Sequence, residues 1–154
     1  MNRFVQAAFL AGTLASIAAA TPAWAQFAKP EEAVEYRQSA LTLIGNHMKR
    51  IKAQLDNSKP NLDIIRNSAA LVETLKTLPF EAFPEGSGDI GETAAKPEIW
   101  TERDKFDKRA KEMQEKVAAL NAAARTGDIG AIRTAFGETG KACKNCHDDY
   151  RKKK

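Results

Sequence analysis

Hydrophobic residues in the first strongly patterned stretch fall at Val34, Leu41, Ile44, Met48, Ile51 and Leu55, in steps of seven, three, four, three and four. At 3.6 residues per turn these positions form one stripe, and the spacing predicts a helix over about 31–56. The run Asn57-Ser58-Lys59-Pro60-Asn61 interrupts the pattern. Leu62, Ile65, Ala69, Val72, Leu75 and Leu78 restore it until Pro79, which has no N–H to extend a second helix. With so short a link, the two helices are expected as antiparallel neighbours. From Phe80 to Lys96 no period persists, and Pro84, Gly86, Gly88 and Gly91 mark a long surface connection able to cross an end of the bundle.

Pro97 suits the first turn of a third helix, along which Phe106, Ala110, Met113, Val117, Leu120 and Ala124 keep three-four spacing. Thr126-Gly127-Asp128 supplies a glycine stop and an aspartate cap, after which Ile129, Ile132, Phe136, Gly140, Cys143 and His147 carry a fourth stripe. Nothing in the patterned region reads as a strand ladder. The expected fold is all-α: an antiparallel four-helix bundle, up-down-up-down, with a longer connection between the second and third helices.

The first 25 residues fall outside this scheme. Arg3, an apolar stretch from Phe4 to Ala20 and the A-x-A pattern Ala23-Trp24-Ala25 read as a secretory signal peptide, cleaved after Ala25. A membrane anchor suits the segment less well, because it is rich in Ala, Gly, Ser and Thr and no positive stop signal follows. The expected organisation is a signal over 1–25 and one bundle domain over 26–154, exported to the periplasm and free of the membrane after cleavage. Lys and Arg number 24 against 20 Asp and Glu, and this interspersed net charge of +4 is too small for a nucleic-acid protein. With two cysteines and two histidines, the chemistry must rest on few residues.

Both cysteines lie in Cys143-Lys144-Asn145-Cys146-His147, the C-x-x-C-H attachment pattern of a c-type haem. On a helix the two thiols and the imidazole span an arc of about 100°, so one face offers two thioether bonds and an axial ligand to the same macrocycle. Three other readings compete. A redox dithiol needs a lowered thiol pKa, whereas this pair lies near the negative end of its helix. Structural zinc lacks an evident fourth ligand, and a disulfide would close a loop too small to stabilise much.

The signal pattern, the four-helix pattern and C-x-x-C-H followed by Asp148-Asp149-Tyr150-Arg151 resemble the cytochrome c′ family of class II c-type cytochromes. The resemblance runs from Gln26-Phe27-Ala28-Lys29-Pro30 to the Lys152-Lys153-Lys154 tail. Cytochromes c′ are among the known four-helix bundles. The resemblance implies one haem c per chain, attached through Cys143 and Cys146 with His147 as the iron's proximal ligand. It sets Leu41 over the distal haem face and Arg151 beside the proximal pocket. It implies five-coordinate, high-spin iron that binds NO and CO, with a role in NO sequestration or tolerance and electron transfer beside it. It further implies a homodimer through the first two helices, which the few apolar residues outside the stripes support only weakly, and a redox partner that the sequence does not identify.

Leu41 has no donor atom, which disfavours O2. The alternative is a low-spin, six-coordinate electron carrier, which needs a Met or His ligand from the first helix. Met48 lies about two turns, or ~10 Å, from Leu41 and reads as core packing. His47, beside Asn46 and Lys49, reads as a solvated position. Arg37 occupies a core-facing position between Val34 and Leu41, where a bare cation is costly. Haem propionates would answer that cost, and the resemblance supports such a partner; snorkelling to solvent is the alternative. Arg151 follows His147 by four residues, over the same helix face, although a basic residue at a helix C-terminus is favoured in any case. Tyr150 is expected to pack against haem or helix, and Phe136 and Gly140 suit either a haem edge or interhelical packing. No distal acid–base pair can be assigned, so an enzyme is not expected.

Overall fold

A computed structural model describes residues 27–153. The expected signal peptide and its cleavage site lie outside the described residues. Helices α1 (Pro30–Leu55) and α2 (Leu62–Leu75) are followed by a 3-10 turn (Leu78–Ala82), the short α3 (Glu98–Thr101), α4 (Arg103–Thr126) and α5 (Ile129–Tyr150). The four long helices are those the periodicity predicts, and their ends follow from local chemistry. Pro30 opens α1, with Glu31 and Glu32 complementing the dipole of its first turn. The Asn61 carboxamide oxygen accepts from the N–H groups of Asp63 and Ile64 at 3.0 and 3.1 Å. Gly127 ends α4 in the left-handed conformation at φ 78°, and Asp128 then caps α5 by accepting from Gly130 and Ala131.

Two elements differ from the expectation. The second helix stops at Leu75, and the chain from Leu78 tightens into 3-10 geometry around Pro79. The third helix is broken at Glu102 (φ −121°, ψ 42°), which separates Glu98–Thr101 from the rest. The short segment is held by the connection it follows: Trp100 Nε1 donates to the Pro84 carbonyl at 3.0 Å, and the Trp100 ring meets Phe83 edge-on. The connection is also less superficial than expected, because its own Phe83, Ser87 and Ala95 are buried.

All six predicted core positions of α4, from Phe106 to Ala124, are buried. Its face fills between α2 and α5, and α2 in turn packs on α1. The fourth side of the bundle, α1 against α5, lacks comparable packing. Those two helices are tied near the start of α5, where Arg133 donates to the Leu55 carbonyl. Towards the other end, residues on both core stripes remain exposed.

Candidate functional site

The unpacked side is bounded by α1 and α5. On α1, Leu41 belongs to the core stripe yet is 38% exposed, and a Cβ added at Gly45 would meet nothing within 4 Å. On α5, Gly140 likewise has open space where a side chain would begin, Phe136 and Cys143 are half-buried, and His147 reaches solvent. Two stripes of small or apolar residues thus border the uncovered side of the bundle, the slot between α1 and α5.

Cys143 and Cys146 are free, half-buried thiols on α5. Cys143 packs against the Ile44, Val72 and Met113 cluster, and Cys146 against the cluster around Phe106. Burial pushes the Cys143 thiol up. It pushes the Cys146 thiol to about 11, helped by the neighbouring Cys143 and Asp149. Thiols of this kind are the opposite of an activated redox pair. Among the described residues no group of three or more His, Cys, Asp or Glu side chains is arranged to hold a metal ion, so the zinc reading finds no ligand set. Partial desolvation of the ring, with the positive charge of Arg151, holds the His147 imidazole below its ordinary value. A lowered value favours the neutral imidazole, the form an iron ligand needs. Two free thiols, an imidazole whose neutral form is favoured and the uncovered side between α1 and α5 fit a covalently attached haem.

The other expected residues meet mixed fates. Arg37 is 2% exposed and bonds within the protein rather than reaching solvent. Its Nη1 donates to the Ala82 carbonyl and Ser87 Oγ at 2.9 and 2.8 Å, and its Nη2 to the Ser87 carbonyl and Thr93 Oγ1 at 2.6 and 3.0 Å. Phe83 lies against the guanidinium at 4.5 Å. These groups satisfy the cation that was expected to need a propionate, and only Nε–H takes no part in them. Arg151 is not on the helix face. The helix ends at Tyr150, and Arg151 is its extended C-cap, bridged to Ala95, because the chain turns there to pair with the connection.

Tyr150 packs on Phe106, with ring centroids 5.3 Å apart. Met48 packs against two core clusters, in line with a core role. His47 is half-buried rather than solvated, and its Nδ1 is shielded without a hydrogen-bond partner. Three residues from Ile44 and four from Ile51, it lies on the flank of the buried stripe. Sequence reasoning missed Ser87 and Thr93, which meet Arg37 from fifty or more residues away.

The family model described as Cytochrome C′ matches residues 32–151. The chain belongs to the cytochrome c′ family. Cytochrome c′ from Alcaligenes xylosoxydans xylosoxydans is 43% identical over 132 residues, covering 84% of this chain and 100% of the relative. The crystal structure of cytochrome c′ from Rubrivivax gelatinosus superposes with a TM-score of 0.79 at 43% identity, covering 82% of this chain and 100% of that one. A nitric oxide complex of a leucine-to-alanine mutant of cytochrome c prime from Alcaligenes xylosoxidans superposes at 0.77 with 41% identity, covering 83% and 99%. Cytochromes c′ bind haem c covalently through cysteine, and this chain contains two cysteines.

Proposed function

We propose that this cytochrome c′ is an exported, periplasmic haem protein that binds NO, and CO, at five-coordinate iron and serves to sequester NO or confer tolerance to it. The observation that carries the reading is the joint presence of two free thiols, Cys143 and Cys146, and of His147 within two turns of α5, the helix that lacks packing against α1. Haem, when bound, would supply an iron able to take a diatomic gas. Cys143 and Cys146 would hold it covalently, and His147 would ligate its iron. Leu41 offers the distal side methyl groups and no donor, so it limits the approach of ligands and gives no hydrogen bond that would favour O2. Arg151 sets a positive charge beside His147. Any propionate contact of Arg37 is left to its Nε–H.

Several observations support this reading. Among relatives, nitric oxide complexes are known for a leucine-to-alanine mutant and for an arginine-to-lysine variant. Leu41 and Arg151 are the leucine and arginine of this chain that the family resemblance sets near the iron. The packing of Met48 in the core favours an open sixth position over the six-coordinate electron carrier. Among the described residues no helix is long and apolar enough to cross a membrane. Leu43 on α1 and Leu71 on α2, 49% and 45% exposed, are large apolar side chains that a homodimer through these helices would cover.

The test is an absorption spectrum of the purified, exported protein, oxidised and reduced, with and without CO and NO. A high-spin spectrum that converts on adding either gas is the expected result. A sharp low-spin reduced spectrum indifferent to CO would establish the electron carrier instead, and absence of a haem band would remove both.

A further inference from the structure

The two helices bordering the slot scarcely pack on each other, so something else must fix their separation near Leu41 and His147. The segment 92–96 of the connection is bonded to both. On the α1 side, Gln38 Nε2 donates to the Glu92 carbonyl at 3.1 Å, and Arg37 Nη2 donates to Thr93 Oγ1 at 3.0 Å. Arg37 precedes Leu41 by four residues, one helical turn. On the α5 side, Lys96 N–H donates to the Tyr150 carbonyl at 3.0 Å, and Lys152 N–H donates to the Ala94 carbonyl at 2.8 Å. Lys96 Nζ adds bonds to the carbonyls of Asp148 and Asp149, both at 2.9 Å, immediately after His147. The Thr93 hydroxyl is the junction, since it accepts from Arg37 and also from the N–H of Ala95, the residue bridged to Arg151.

We infer that residues 92–96 form a strap holding the two walls of the haem slot in register, with Thr93 as the positioning residue that joins the distal wall to the proximal one. The inference rests on the haem reading above. It differs from a simple loop anchor in what it demands: a change at one wall must be felt at the other. Two bonds that meet at Thr93, from Arg37 and from the N–H of Ala95, and the backbone bridge between Ala95 and Arg151 connect the turn before Leu41 to the residues that follow His147. A valine at 93 keeps the shape of threonine but accepts neither bond, whereas a serine keeps the hydroxyl.

The experiment uses the haem-loaded, full-length protein and reads each wall from the opposite side. Thr93→Val is predicted to shift the iron–His147 stretching band in the resonance Raman spectrum. It is also predicted to speed amide exchange at Lys152 N–H by about fivefold, the equivalent of one lost hydrogen bond. Thr93→Ser should restore both. Lys96→Met, which removes the Nζ bonds to the end of α5, is predicted to change the CO association rate at the Leu41 side by about threefold or more, some half of a tenfold step in barrier terms. Either far-side signal remaining at its wild-type value, with only the melting temperature lowered, would overturn the strap. A wild-type protein without haem overturns the functional reading alone, because amide exchange at Lys152 reports on the strap without the iron.

Discussion

Leu41 and Ile44 stand three residues apart on one stripe of α1, yet Ile44 is 7% exposed and Leu41 38%. Neighbours on a core stripe differ in this way where the surface opposite one of them is missing, and here that surface is the unpacked side facing α5. Leu41→Ala therefore removes little packing and should cost below about 1 kcal/mol, against roughly 2–5 kcal/mol for a fully buried leucine. Its effect belongs to ligand access. CO association with the reduced protein should quicken by about tenfold, as losing ~1.4 kcal/mol of steric barrier implies. Flash photolysis measures it, and an unaltered rate would remove Leu41 from the distal face.

Met48 is the residue that separates gas binder from electron carrier. It packs against the cluster around Ile51 and the one around Ile44, which accounts for its side chain without a metal. Met48→Leu conserves volume and should cost less than about 1.5 kcal/mol. The oxidised and reduced absorption spectra should be unchanged, and the same holds for His47→Asn. Conversion from a low-spin to a high-spin spectrum in either variant would reinstate the six-coordinate reading.

The helices were legible because their information is local: one apolar stripe each, with Asn61, Gly127 and Asp128 at the ends. The attachment motif was legible for the same reason, since Cys143, Cys146 and His147 fall within two turns of one helix. What escaped was decided at long range. Nothing near Glu102 announces a break, which depends on Trp100 bonding back to Pro84. Ser87 lies in a stretch that reads as surface, and only Arg37, fifty residues earlier, draws it inward. Arg37 itself was identified as a core-facing cation needing partners. Its partners came from the connection, which has no period from which to foresee them. Residue spacing sets Arg151 on the helix face, whereas backbone pairing with Ala95 takes it off the helix.

The two cysteines occupy different parts of the core, so each can be lost separately. Cys143→Ser and Cys146→Ser should each retain haem through the remaining thioether, with a shifted reduced absorption band. The double substitution should yield protein that releases its haem on a denaturing gel. Haem staining after electrophoresis reads the result, and haem still attached to the double variant would exclude these thiols as the attachment points.

Leu43 and Leu71 give the homodimer a specific test. A glutamate at either position stays solvated in a monomer but must be desolvated in a dimer that covers it. Leu43→Glu with Leu71→Glu should therefore convert dimer to monomer at micromolar concentrations, as read by sedimentation velocity, with the haem spectrum unchanged. A dimer of undiminished affinity would locate the interface on another face.

Arg37 tests whether a buried cation with no carboxylate beside it holds this fold together. Arg37→Met keeps much of the side-chain volume and the packing on Phe83, but deprives the Ala82 and Ser87 carbonyls of their donors. Charge-assisted bonds and the stranding of buried acceptors together imply a loss of about 3 kcal/mol. Urea denaturation should show it as a lowered midpoint. Burial lowers the Arg37 pKa from its ordinary value to about 10, so the folded state binds fewer protons than the unfolded one only above about that pH. Stability from this group therefore rises with pH only above about 10, and between about pH 6 and 9 the difference between wild type and variant should be flat. A difference that changes with pH in that range would mean that a titrating acid, such as a haem propionate, shares the guanidinium. A flat difference near 3 kcal/mol would mean that the hydrogen bonds to the connection account for the cation.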